Sequence, residues 1–255
     1  MLTRDDRKDN LRQFGPKGNP FGKSRWIEEK YARQLRDVAR QIGRIVESHD
    51  PMTISGLSAL QTALGQYAGI LRPWAVRTAQ QIAEQLDRQD RSMWTRQSVK
   101  IGARLRKIVE NDPAGAQMRE FVERQAHYIT SLPIEEGKRV QRLAIEARMA
   151  GRRADEIAQE LARSGEVAQS RATLIARTEI ARAGSVLTET RALAIGATHY
   201  IWRTSKDRAV RQSHREMEGQ VCEIGKPPTL SDGTTTAPGQ IYNCRCTAQI
   251  ILPDL

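Results

Sequence analysis

The three cysteines of this 255-residue chain, and one of its four histidines, gather near the C-terminus. In order they are His214, Cys222, Cys244 and Cys246, spaced H-x7-C-x21-C-x-C. Imidazole nitrogen and thiolate sulfur are the ligands of tetrahedral zinc, and such a clip would add folding energy to a small, loop-rich segment. The spacing is not that of a standard finger, in which C-x-x-C is the commoner pair. A second reading needs no metal: Cys244 and Cys246 alternate on a strand as two small buried residues, and His214 bonds nearby backbone. A third pairs His214 with a Cys244 nucleophile, with Asp207 orienting the imidazole. No oxyanion hole or substrate pocket is legible beside that pair. The chain carries no Walker loop, no G-x-G-x-x-G after a strand and no H-E-x-x-H.

Asp207, Arg211 and His214 recur at steps of four and three, so one face of a short helix presents all three. Asn243, Cys244 and Cys246 stand where a long loop must re-enter the fold, and closing such a loop has an entropic cost that polar bonds or a metal would offset. The expectation is that these six residues meet in space as a structural lock rather than a catalytic site. Arg203, Arg208 and Arg215 make the same region basic, which fits either a phosphate-binding face or a solvated helix.

The elements that hold these residues follow from periodicity. Met1 to Lys23 is polar and broken by Gly15, Pro16, Gly18, Pro20 and Gly22, the pattern of a flexible arm. Ile27, Tyr31, Leu35, Val38, Ile42 and Ile45 then mark one face of a helix that Asp50-Pro51 ends. Leu57, Leu60, Leu64 and Tyr67 mark a second, which Pro73 resets or kinks. Trp74, Ile82 and Leu86 mark a third, and Ile101, Leu105, Ile108 and Val109 a fourth. After Asn111-Asp112-Pro113 another begins, and Leu132-Pro133 breaks it. Val140, Leu143 and Ala147 belong to the next, closed by Gly151. A short helix holds Ile157 and Leu161, and a long one runs from about Val167 to Leu193, ending at Gly196. The four tryptophans, Trp26, Trp74, Trp94 and Trp202, read as core anchors.

Past Gly196 the period changes. His199 to Thr204 alternates and is rich in aromatic and β-branched residues, so it predicts a strand. Asp207 caps a helix over roughly Arg208 to Met217. Gly225 to Gly239 is loop, and Thr247 to Leu252 is again strand-like. The fold class is therefore mainly α: an arm at 1–23, a helical body at 24–166 and a small α+β module at 167–255.

Composition bounds the partners. The net charge of +11 favours an acidic partner, whether nucleic acid, an acidic protein surface or anionic lipid, or else solvates helix faces. No run approaches the roughly 18–20 apolar residues of a membrane span, and the charged N-terminus lacks a secretory h-region. An odd cysteine count without a signal points to a reducing compartment.

Rare residues in a fixed order carry one resemblance. Ala176-Arg177-Thr178-Glu179, Gly196, Trp202, Asp207, Val210, Arg211, His214, Gly219, Pro238-Gly239 and Asn243-Cys244-Arg245-Cys246 resemble the C-terminal pattern of the head-morphogenesis, or minor capsid, proteins of tailed bacteriophages typified by the F protein of phage Mu. The match covers roughly Val167 to Leu255, and Cys222 is not one of its positions. The resemblance implies a non-enzymatic, low-copy component of the virion. Such a protein is made in the host cytoplasm and placed inside the head near the portal, with portal, capsid or scaffold proteins and phage DNA as partners. The competing expectation is an enzyme, nuclease-like or transferring a nucleotidyl or ADP-ribosyl group, with Glu179, Arg211 and His214 in one cleft. A sequence-independent DNA-binding protein is a third.

Overall fold

Periodic apolar residues become long helices first, and a small sheet follows them. The computed structural model describes residues 25–101, 115–152 and 154–253. The expected arm and the turn at Asn111-Asp112-Pro113 lie outside these residues, as does most of the expected fourth helix. The elements are α1 (Arg25–Glu47), α2 (Ile54–Ile101), α3 (Gly115–Met149), α4 (Ala154–Ala162), α5 (Ser164–Ala194), β1 (His199–Arg203), α6 (Gln212–Glu216), β2 (Val221–Glu223) and β3 (Thr247–Ile251). No helix among the described residues is long and apolar enough to cross a membrane.

Pro133 does not break its helix as expected, and Pro73 does not reset its own. Pro73 lies inside α2 and Pro133 inside α3. A proline ring displaces the carbonyl four residues back and removes one hydrogen bond. Four residues before Pro73 stands Gly69, with open space around it, so that carbonyl can turn to solvent. Pro133 is itself buried, and its packing offsets the missing bond. The helix starts and stops otherwise follow local chemistry. Thr53 caps α2, its hydroxyl accepting the Gly56 amide at 3.0 Å. Gly151 and Gly196, both at positive φ, close α3 and α5. Arg152 N–H reaches the Ala147 carbonyl and Ala197 N–H the Ala192 carbonyl, the 6→1 bonds of such endings.

The chain divides into two compact units. One takes its described residues from 26–83 and 120–177. Its core holds Ile27, Leu35, Ile42, Leu60, Leu64, Phe121, Ile129 and Val140, all nearly inaccessible. Within it the Tyr31 hydroxyl donates to Gln125 at 3.1 Å. Arg139 joins Glu136, the Glu160 carbonyl and the Ser164 hydroxyl, which fastens the short junction between α4 and α5.

The other unit takes its described residues from 84–101, 115–119 and 178–253. Its sheet has the order β2-β1-β3, antiparallel throughout. β1 is central, with Tyr200 opposite both Cys222 and Ile250. The short strand β2 is not expected from the residues, because three positions are too few to show a period. Trp94, Trp202, Tyr200, Ile224, Leu230 and Ile250 form one cluster with the three cysteines. Trp94 and Trp202 are thus the core anchors expected, whereas Trp26 is more than half exposed. Val210, an apolar position of the helix expected over Arg208 to Met217, is only half-buried, because residues 207–210 form a turn instead of helix.

Beneath the sheet runs a buried ionic group. Arg191, almost wholly inaccessible, donates to both Asp87 and Asp90, and the Thr188 hydroxyl donates to Asp90 at 3.0 Å. Burial pushes the Asp90 carboxyl up against the pull of Arg191, while the two arginines Arg91 and Arg191 hold Asp87 below the usual range despite partial burial.

Replacing Trp202 by Ala should cost about 3–5 kcal/mol, the range for emptying a buried aromatic site. Asp90→Ala should cost about 1–3 kcal/mol, because Asp87 still compensates the charge of Arg191 while one buried guanidinium N–H and the Thr188 hydroxyl lose their acceptor. A denaturant melt measures both, and a loss under about 1 kcal/mol in either would contradict the packing described.

Candidate functional site: a loop clasped to helix α5

The return path of residues 224–246 determines where every chemistry-bearing side chain of the tail lies. One face of α5 receives that path, through residues three or four apart on the helix. The Thr178 hydroxyl accepts the Asn243 amide at 3.0 Å. Arg182 donates to the Gln240 carbonyl at 3.0 Å and, on its other nitrogen, to Glu179 at 2.7 Å. The Ser185 hydroxyl donates to the Pro238 carbonyl at 2.8 Å. Glu189 accepts from the Gly225 amide and from the Gln240 side chain. Gly239, at φ +84°, passes so close that a Cβ there would stand 3.2 Å from the Ala181 carbonyl oxygen. Only glycine meets both demands. Asn243 also has positive φ, which asparagine tolerates better than most residues.

This geometry turns both thiols of N-C-R-C inward. Cys244 and Cys246 lie in the irregular segment before β3 rather than on the strand itself, yet both are buried. His214, on α6, is equally buried and packs edge-on to Trp202, ring centroids 5.4 Å apart. Its Nδ1 lies 3.4 Å from the Cys246 sulfur and 3.6 Å from that of Cys244. The amides of Gly239 and Cys246 both donate to the Cys244 sulfur. A hydrogen bond from Cys246, these two amides and the nearby His214 together hold the Cys244 thiol well below its usual range, against the opposing effect of burial.

The remaining residues of the expected lock close the other side. The Asp207 carboxylate accepts Arg245 at 2.6 Å and the Ala209 amide at 3.0 Å. Arg211 donates to the Tyr242 carbonyl at 3.1 Å and lies over the Tyr242 ring. A shallow cleft in front of the cysteines is lined by Ser205, Val210, Arg211, His214, Asn243 and Arg245, among others. The route to this arrangement differs from the expected one. Asp207 and Arg211 precede α6, and Arg211 is its N-cap with extended ψ, so no single helix face presents the three residues.

Cys222 stands apart from the ligand group of His214, Cys244 and Cys246, whose donor atoms all lie within 4.8 Å of one another. It sits on β2, paired with Tyr200, where burial pushes its thiol up. Glu179 is buried against Arg182, whereas Arg211 and His214 line the cleft. Arg203 is engaged with Gln249 and Glu218, while Arg208 and Arg215 are exposed. Sequence reasoning misses Arg182, Ser185 and Glu189, although polar residues on one face of a helix with alanines between them are a usable signal. It also misses Glu218, which accepts the Thr204 amide at 2.6 Å and its hydroxyl at 2.7 Å.

Residues 138–249, a little under half of the chain, match the family described as Phage Mu protein F like protein. A protein of Haemophilus influenzae (strain ATCC 51907 / DSM 11121 / KW20 / Rd), named "Uncharacterized protein", is 33% identical over 108 residues. That similarity covers 42% of this chain and 23% of the relative, so the chain spans less than a quarter of that protein's length. No solved structure matches.

Glu218 gives a pH test. Burial would raise its carboxyl, but the Thr204 amide and hydroxyl and Arg203 outweigh burial and lower it. A lowered carboxyl contributes stability that is present above its unfolded value, about 4.3, and is lost as pH falls through the folded value. Acid melts should therefore show Glu218→Gln losing less stability than the parent between about pH 5 and pH 3. Parallel acid profiles for the two proteins would remove Glu218 from the account.

Proposed function

We propose that this chain is a minor head protein of a tailed phage or prophage, acting without enzymatic chemistry in procapsid assembly beside the portal. The observation that carries the reading is the match of residues 138–249 to the Mu F-like family, falling on the segment whose loop is clasped to α5. The use of its polar residues supports a docking role. Asp207, Arg211, Thr178, Arg182 and Ser185 hold backbone or one another, which suits a module that keeps one surface rigid for a protein partner. On this reading Asp207, Arg211, His214, Asn243, Cys244 and Cys246 form a structural lock. The protein is carried in the virion head, its partners are portal and capsid or scaffold proteins, and it acts in packaging or delivery of DNA.

The net charge of +11 supports binding to packaged DNA of a non-specific, electrostatic kind. Arg208 and Arg215 are the exposed cations of the basic stretch, whereas Arg203 is held by Glu218 and Gln249. The purified chain should co-sediment with portal oligomers or another head component from the same phage, and failure with every head component would refute the assignment. On duplex DNA, affinity should fall steeply with salt. The double variant Arg208→Ala/Arg215→Ala should flatten the log–log slope by about 2, since each phosphate no longer neutralised removes about 0.9. A salt-independent affinity would exclude this mode of binding.

A further inference from the structure

We propose that His214, Cys244 and Cys246 bind one zinc ion through His Nδ1 and two thiolates, leaving a fourth coordination position open toward the cleft lined by Ser205, Arg211 and Asn243. The site is the same whichever head component the module docks on. Distances support it first. Zinc lies about 2.3 Å from thiolate sulfur and about 2.0 Å from imidazole nitrogen, and tetrahedral angles then separate nitrogen from sulfur by about 3.5 Å. The two separations found here are 3.4 Å and 3.6 Å. A hydrogen bond alone does not call for this near-equality, since one Nδ1–H points along one direction and favours one acceptor. An ion held by all three donors does call for it.

The environment of the sulfur supports it second. The Gly239 and Cys246 amides, directed at Cys244 from 3.3 and 3.4 Å, favour the thiolate form that a metal requires. All three donors are buried, at 2–4% exposure, so the two negative sulfurs would lie in a low-dielectric interior unless a cation compensates them. Two soft sulfurs and one imidazole select zinc over magnesium or calcium.

The fourth donor is not Cys222, which β2 holds beside Tyr200 on the sheet. Asp207, in the turn before α6, is engaged with Arg245 and the Ala209 amide. Three protein ligands with an exchangeable fourth is the arrangement of an open zinc site, here with the cleft in front of it. Water fills that position until a small anion or a partner's side chain replaces it.

The full chain, purified without added metal, should carry about one zinc by elemental analysis. Cobalt exchanged into it should show a thiolate charge-transfer band of two sulfurs' intensity and visible bands of a tetrahedral ion, and azide should shift those bands. Cys222→Ser should retain the metal, and Cys244→Ser should lose it. Because Cys244→Ser can fail to fold, the cobalt spectrum of the unmodified chain stands as the independent measurement. No zinc as purified and none taken up on addition would overturn the proposal. So would loss of the metal in a folded Cys222→Ser, or a three-sulfur charge-transfer intensity. Cobalt bands unmoved by azide would overturn the open position.

Discussion

Residues 224–246 have almost no sheet partner of their own, and the polar face of α5 is what brings them back into the fold. Among the described residues of that loop the regular pairing is a single bridge, between Thr229 and Thr235. Closing a loop of this length costs conformational entropy that grows slowly with length, and ordering its backbone costs more. The compensation comes from Thr178, Arg182, Ser185 and Glu189, which bond amides and carbonyls of the loop that no strand partner satisfies. Everything downstream depends on that registration. If Pro238 and Asn243 did not seat on α5, Cys244 and Cys246 would not face His214, and β3 would not reach β1.

The helix that performs this task is itself anchored by charge. Less than two turns beyond Ser185, Arg191 is buried between Asp87 and Asp90 of α2. Replacing such a group with apolar residues is often neutral or stabilising, so its presence is weak evidence for stability. Its value here lies in direction. A planar guanidinium with two carboxylates and the Thr188 hydroxyl permits fewer alternative packings than an alanine-rich interface, and α5 is rich in alanine. Fixing the rotation of α5 about its own axis fixes which face Thr178 and Ser185 present to the loop.

Much of this architecture is legible in the residues. The apolar period marks the helical stripes, Gly151 and Gly196 mark two ends, and the aromatic, β-branched run at His199–Arg203 marks the central strand. The prolines mislead because the cost of an internal proline is local, whereas its compensation comes from context: open space at Gly69 and burial at Pro133 itself. Strand β2 is hidden because a three-residue strand shows no alternation and takes its identity from its neighbour. Asp87, Asp90 and Arg191 are illegible for a related reason. In a chain with 28% charged residues, a buried ion pair looks like any solvated helix face until tertiary packing selects it.

The candidate site illustrates how residue type and position contribute separately. Histidine and cysteine content points to all four residues, but topology admits three. Cys222 is held by a strand register that sets it opposite Tyr200, in the same apolar cluster as Cys244 and Cys246 but outside their donor group. Glu179 shows the same logic for the carboxylate. It falls in the A-x-T-E pattern that also supplies Thr178, and a helix turns those two side chains to different neighbours: Thr178 to the Asn243 amide, Glu179 to Arg182. Arg182 in turn holds the Gln240 carbonyl, so the Glu179 carboxylate acts on the loop through its cation. Within this fold the A-x-T-E pattern is therefore best understood as the receiving end of the P-G and N-C-R-C segments, two parts of one clasp that lie far apart in the chain.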